Sequence, residues 1–414
     1  MRVLWFSLTP SLYSSENRGS WVGALETIIR EHCPDIELGV AFELDDGNRR
    51  VVKDGVAYYP IKKYRNRWDF YRFKWNFDYE WDLLEPKLKW IISDFKPDII
   101  HCFGSEWPYG KVSSFTDIPV VIHMQGFLNV YRTSRNQVFD RYDYYRYFHY
   151  NPFKMLHYSI TWSPKRYEAE KRREREIMAM NRYFMGRTEW DKLMVRYYSP
   201  SAAYYHCEEA IRETIYNSSN KWTFQKRDKM RMVTISSASP LKGNGLILQT
   251  AKILKEEMHF DFEWRVAGSK DSFSLIESKV GIKHDDVNIT LLGVIDAETI
   301  AEELATADVY VHTAIIDNSP NSLCEAQLVG CPVVSTNVGG IPQLVKDHET
   351  GLLFPYNEPH TLAFLLMDIF GKKDMLQSLS ENEISVSSKR HLPHSIATRL
   401  KEIYSDVILK SKNR

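Results

Sequence analysis

The chain has 414 residues, 43% hydrophobic and 13% aromatic, which is enough to bury two cores and sets two domains as the expectation. Its 54 basic residues balance 54 acidic ones, so no chain-wide positive field exists and nucleic acid is not an expected partner. Five cysteines (Cys33, Cys102, Cys207, Cys324, Cys331) form no C-x-x-C pair and sit mostly in apolar surroundings, which suggests no secretory disulfide framework and fits reduced, buried thiols in the cytoplasm.

The chain opens on a short apolar run, residues 3–7, that breaks at Pro10. It is too short for the hydrophobic region of a signal peptide and reads as a first strand. No eighteen consecutive residues are apolar, so no membrane-spanning helix is expected. The polar loop that follows contains Gly19 and Ser20, whose backbone could approach a phosphate, although most loop glycines serve only the turn. Helices are predicted over 21–32 and 82–95, the second with Leu83, Leu84, Leu88 and Ile91 at helical spacing. Further strands are predicted over 38–42, 99–102 and 120–124. Strands alternating with helices give an α/β, doubly wound parallel sheet, whose ligands sit beyond the carboxyl ends of the strands.

Between Tyr131 and Arg187 there are thirteen Lys or Arg, six Asp or Glu and fourteen aromatics. Such a surface suits an anionic membrane or a lipid-linked sugar diphosphate, while a charged helix with an aromatic packing face is the simpler reading. Residues 221–229 are charged, lack apolar periodicity and read as a connection between folding units.

From residue 231 the same grammar restarts. Strands are predicted over 232–235, 264–267, 287–292 and 309–312, and helices over 245–258 and 297–305. Lys242 places a cation in the loop after the first of these strands, and Gly268 ends the second. The segment 317–325 puts two carboxylates, Asp317 and Glu325, eight positions apart around a helix start that Asn321 or Ser322 is placed to cap, with the helix running to Val329. Free N–H groups and the positive end of the helix dipole there favour phosphate or hydroxyl oxygens, while the carboxylates accept bonds from hydroxyls. A paired-glycine turn, Gly339 and Gly340, follows the next strand. Residues 396–409 are apolar at helical spacing and are expected to cross back onto the first domain.

The 317–342 segment resembles the signature of the family 4 retaining glycosyltransferases, in which two acidic residues flank seven others and a glycine-rich turn follows the next strand. The segments ending in His101 and in His123, Gln125 and Gly126 are similar to two strands of the same transferases. Many members carry a histidine where this chain has Gln125, and His123 as a neutral imidazole packed in the sheet is the simpler reading. The resemblance implies the glycosyltransferase B architecture, two Rossmann-like doubly wound domains facing across a cleft. It divides the chain into an acceptor-side domain (1–215), a nucleotide-sugar-binding domain (216–395) and a terminal helix (396–414).

The same resemblance assigns Lys242 to the donor diphosphate, with Ser236 or Ser237 standing where the family has an arginine that Arg187 or Arg212 would have to replace. Asp317 falls where the family has a glutamate, beside the donor sugar. It implies a donor site of Gly19, Ser20, Ser237, Lys242, Gly268, Gly293, Val294, Asn318, Ser319, Asn321, Ser322 and Glu325, with Asp317 and Lys242 catalytic and His101, His123 and Gln125 on the acceptor side. No D-x-D pair occurs, so neither a metal nor another cofactor is expected beyond the nucleoside diphosphate sugar co-substrate. The acceptor would be a glycan or a lipid-linked molecule, and the protein would work in the cytoplasm, at the inner face of the membrane if the cationic aromatic stretch binds lipid. The alternatives are a sugar-nucleotide epimerase or hydrolase of the same fold, and a non-catalytic sugar-nucleotide-binding protein.

Overall fold

A computed structural model describes residues 1–14, 21–45, 47, 49–138, 140–161, 164–236 and 239–413. The chain forms two compact units, the first of residues 1–130, 156–212 and 391–414, the second of residues 131–155 and 213–390. The expected first domain, 1–215, is therefore interrupted: residues 131–155 group with the second unit, and residues 391–414 with the first.

Among the described residues of unit 1, eight strands form one sheet: β1 (Arg2–Phe6), β2 (Glu37–Glu43), β3 (Val51–Lys53), β4 (Val56–Ile61), β5 (Ile99–Phe103), β6 (Val120–His123), β7 (Tyr183–Gly186) and β8 (Ala203–His206). Their order is β3-β4-β2-β1-β5-β6-β7-β8, parallel throughout except for the β3–β4 hairpin. Continuous apolar runs in β1, β2 and β5 reflect burial on both faces. Val3 and Trp5 point into a core shared with the Trp21–His32 and Pro393–Lys412 helices. Leu4 and Phe6 point into the opposite core, against the Tyr79–Phe95 helix.

Unit 2 holds β9 (Met230–Ser236), β10 (Phe262–Gly268), β11 (Ile289–Gly293), β12 (Val309–His312), β13 (Val333–Thr336) and β14 (Leu352–Phe354). These form a parallel sheet in the order β11-β10-β9-β12-β13-β14. The stretch expected as a connection is fastened to this unit. Trp222 is buried, its indole N–H donates to Ala307 O at 2.7 Å, and its backbone N–H donates to Val329 O at 2.9 Å. All five cysteines are buried as free thiols. Among the described residues no helix is long and apolar enough to cross a membrane.

Candidate functional site

In unit 2 the strand order reverses between β9 and β12, the place where a doubly wound sheet leaves a crevice beyond its carboxyl ends. The loop leaving β9 ends at Lys242 and Gly243, and the loop leaving β12 runs from Thr313 to Pro320. These two loops are stitched together. Ile315 N–H donates to Leu241 O at 2.8 Å, and Thr313 Oγ1 donates to Lys242 O at 3.0 Å. Gly243 has φ +73°, and a Cβ there would sit 1.8 Å from Thr313 O, so only glycine permits this approach.

The stitching sets Lys242 against Asp317, with Nζ 2.6 Å from Oδ2. Burial opposes the charge on Asp317, yet the Lys242 ammonium and the nearby His312 ring outweigh it and hold the carboxyl well below its usual range. His312 Nε2 lies 3.4 Å from the same oxygen without hydrogen-bond alignment, and Nδ1 meets Tyr310 OH at 3.1 Å. The Tyr310 hydroxyl donates to Ser322 Oγ at 2.8 Å. Gly340 N–H, from the paired-glycine turn, donates to Asp317 O at 3.0 Å and braces the loop from the other side.

The Asn321–Val329 helix ends where its sequence predicts, on Gly330 in the left-handed region, but it starts differently. Neither Asn321 nor Ser322 caps it. Pro320 holds the cap position with extended backbone, its carbonyl accepts from Leu323 and Cys324, and the Ser322 hydroxyl is committed to Tyr310. The N–H groups of Asn321 and Ser322 consequently have no partner among the described residues, which leaves donors and dipole for an anion. Asn318, Ser319 and Glu325 are buried around this start.

Gly268 and Gly293 end β10 and β11 on the same edge of the sheet, and Val294 just beyond is 87% exposed. Ser236 donates to Asn244 Oδ1 at 2.8 Å, a structural contact within the loop. Gly19, Ser20 and Ser237 lie outside the described residues. Sequence reasoning missed His312 and Tyr310, although alternate strand positions share a face and these two precede the Asp317 loop. Among the described residues no group of three His, Cys, Asp or Glu side chains is placed to hold a metal ion.

In unit 1, His101 and His123 end up adjacent and buried, with Nε2 of the first 3.2 Å from Nδ1 of the second. Burial pushes His101 down to about 3 and His123 well below its ordinary value, so both rings are neutral. Gln125, two residues on, is partly exposed. Arg187 is committed within this unit, with Nη1 2.5 Å from Glu209 Oε2 and its guanidinium over the Trp21 ring.

The paired parallel-sheet units are the glycosyltransferase B fold. Over 99% of both chains the structure is similar to sucrose-phosphate synthase from Thermosynechococcus elongatus (TM-score 0.74, 13% identity). It is also similar to Anabaena HepE in complex with UDP-glucose, over 98% of this chain and 100% of that one (TM-score 0.65, 13% identity). Residues 217–386, which contain the Lys242–Asp317 site, match the family model for glycosyl transferases group 1. The chain is 26% identical over 157 residues to the amylovoran biosynthesis glycosyltransferase AmsK of Erwinia amylovora, an alignment spanning 36% of this chain and 38% of that protein.

Proposed function

We propose that this protein is a retaining glycosyltransferase of the family 4 type, moving a sugar from a nucleoside diphosphate sugar to an acceptor hydroxyl without a metal ion. The observation that carries the reading is the cation–carboxylate pair of Lys242 and Asp317, held beside a helix start with free N–H groups at the strand-order reversal of unit 2. The bond from the anomeric carbon to the diphosphate oxygen breaks, and negative charge develops on that oxygen. Lys242 and the N–H groups of Asn321 and Ser322 stabilise it without reorganising. A bond forms from the acceptor oxygen to the same face of the sugar, and the acceptor's proton passes to a leaving phosphate oxygen. Asp317, released from Lys242 as the diphosphate binds, accepts from hydroxyls of the donor sugar. Glu325 does the same for the ribose, and Gly268, Gly293 and Val294 border the nucleobase.

A panel of nucleoside diphosphate sugars tests this reading. Slow hydrolysis without acceptor, lost in Lys242→Ala and Glu325→Ala, supports a transferase. Epimer formation, or binding without turnover, would replace it with one of the two alternatives.

AmsK, named for amylovoran biosynthesis, supports a role in bacterial surface polysaccharide or lipid-linked glycan synthesis; to this the proposal adds a place in the cytoplasm at the inner face of the membrane. The membrane part of the proposal rests on the Arg67–Trp75 helix of unit 1. Trp68 and Trp75 are 77% and 82% exposed, Tyr71 is 52% exposed, and Arg67 and Arg72 stand among them in solvent. The helix's one acid, Asp69, is buried and bonded to Arg65 at 3.0 Å. Exposed tryptophan interleaved with arginine suits the headgroup layer of an anionic bilayer. In the 131–155 stretch Tyr144 is buried and Asp143 pairs with Lys279 at 2.7 Å, so part of that stretch serves packing.

A further inference from the structure

Four buried side chains of unit 1, drawn from distant parts of the sequence, form one hydrogen-bonded line. Trp5 Nε1 meets Tyr404 OH at 3.0 Å, Tyr404 OH meets His101 Nδ1 at 2.7 Å, and His101 Nε2 meets His123 Nδ1 at 3.2 Å. All four residues are at most 1% exposed.

The chemistry of its first member fixes the direction of the line. An indole N–H only donates, so the Tyr404 oxygen accepts there and its single proton goes to His101 Nδ1. His101 is neutral, so its own proton sits on Nε2 and is donated to His123 Nδ1. His123 is neutral as well, which leaves its proton on Nε2. That atom is buried and has no hydrogen-bond partner among the described residues. The opposite direction would bring two protons to the Tyr404 oxygen and leave its own proton without an acceptor.

His123 is the last residue of β6, and β6 is adjacent to β5, which with β1 makes the strand-order reversal of unit 1. The ring of Trp21, the first residue of its helix, packs edge-on against it at 5.1 Å. A buried donor without a protein acceptor at such a strand end is in place for a ligand atom.

We infer that Trp5, Tyr404 and His101 are positioning residues that preset His123 as an Nε2–H donor to an oxygen of a bound ligand, which makes the C-terminal helix part of the binding apparatus. The oxygen must offer a lone pair, as phosphate and sugar hydroxyls do; a cation has no place at this atom. The identity of the ligand rests on the nucleotide-sugar reading above, whereas the direction of the relay does not.

The test is the histidine tautomer, read from two-bond ¹⁵N–¹H couplings in the full-length protein labelled with [¹⁵N]histidine, with resonances assigned through His101→Gln and His123→Gln. Both rings are expected as Nε2–H tautomers at neutral pH. Tyr404→Phe should give mixed tautomers at both, and Trp5→Phe, which keeps the tyrosine, should do so more weakly. An Nδ1–H tautomer at His123 in the unaltered protein, or unchanged tautomers in a folded Tyr404→Phe protein, would overturn the relay. UDP, glucose and UDP-glucose are then added separately. A downfield shift of the His123 Nε2 proton with UDP alone identifies an oxygen of the nucleotide, and a shift that needs the sugar identifies a sugar hydroxyl. Calorimetric binding of any of the three with no movement of His123 overturns the ligand contact. If none binds while the tautomers are as expected, the relay stands and the contact of His123 with a uridine nucleotide or its sugar is overturned.

Discussion

Lys242 Nζ and Asp317 Oδ2 lie 2.6 Å apart, joining the loop after β9 to the loop after β12 across 75 residues of sequence. The contact keeps the Asp317 carboxylate ionised beside a cation, and in the function proposed above that cation faces the leaving diphosphate. Removing Lys242 strips Asp317 of its counterion and, in the proposed reaction, withdraws charge from the leaving group. Lys242→Ala should lower transfer by about 10²–10³-fold, the effect of losing one preorganised donor to a developing oxyanion. Lys242→Arg should retain part of the rate. Initial rates with the nucleotide sugar found by the panel check this, and near-unaltered turnover in Lys242→Ala would remove the lysine from the chemistry.

The neutral histidine pair makes unit 1 sensitive to acid. His101 is held at about 3 and His123 is also depressed, while in the unfolded chain both titrate near their ordinary value of about 6.5. Below that pH the unfolded chain binds protons that the folded unit refuses, so stability is fully present above about 6.5 and falls as pH drops. Each pH unit inside the window removes about 1.4 kcal/mol per ring. Urea midpoints followed from pH 7.5 to 5 should decline, and the double variant His101→Gln/His123→Gln should decline less. Parallel curves for the two proteins would show that the rings do not set the acid response.

Much of this arrangement is legible along the chain because it is local. Strand β12 and the end of the Asn321–Val329 helix fall where apolar runs and Gly330 put them. The β3–β4 hairpin carries a legible turn signal too, Asp54-Gly55 with both residues at positive φ between apolar runs, which the predicted elements above do not include. The helix cap was misassigned because propensity favours Asn321 and Ser322. Proline's extended backbone at position 320 and a tertiary bond from Tyr310 to Ser322 decide otherwise. The Trp5–Tyr404 contact spans 399 residues, and no local pattern encodes a partner at that distance. Likewise, the exposure of Trp68 and Trp75 is a property of the folded surface that no local pattern encodes.

If the Arg67–Trp75 helix meets an anionic bilayer, its exposed tryptophans should be dispensable for folding and needed for binding. Trp68→Ser/Trp75→Ser should change stability by no more than about 0.5 kcal/mol, as expected where side chains lie in solvent. Flotation with vesicles containing phosphatidylglycerol should fall several-fold in this variant and fall again at high salt, as the arginine contribution is screened. Equal flotation of variant and parent, or flotation indifferent to anionic lipid, would place the membrane contact elsewhere or remove it.

Two glycines with nearly the same backbone separate strain from steric exclusion. Gly243 and Gly281 have φ of +73° and +71°, so an alanine meets the same left-handed penalty at each, about 1 kcal/mol. At Gly281 a Cβ finds nothing within 4 Å, whereas at Gly243 it would lie 1.8 Å from Thr313 O. Backbone cannot yield there without parting the loops that bring Lys242 to Asp317. Gly281→Ala should therefore lose about 1 kcal/mol and keep its activity. Gly243→Ala should lose about 2–4 kcal/mol and, because the ion pair opens, most of its transfer rate as well. Urea denaturation and initial rates of the two variants, measured side by side, check both halves; equal behaviour would mean that the loop stitching does not position Lys242.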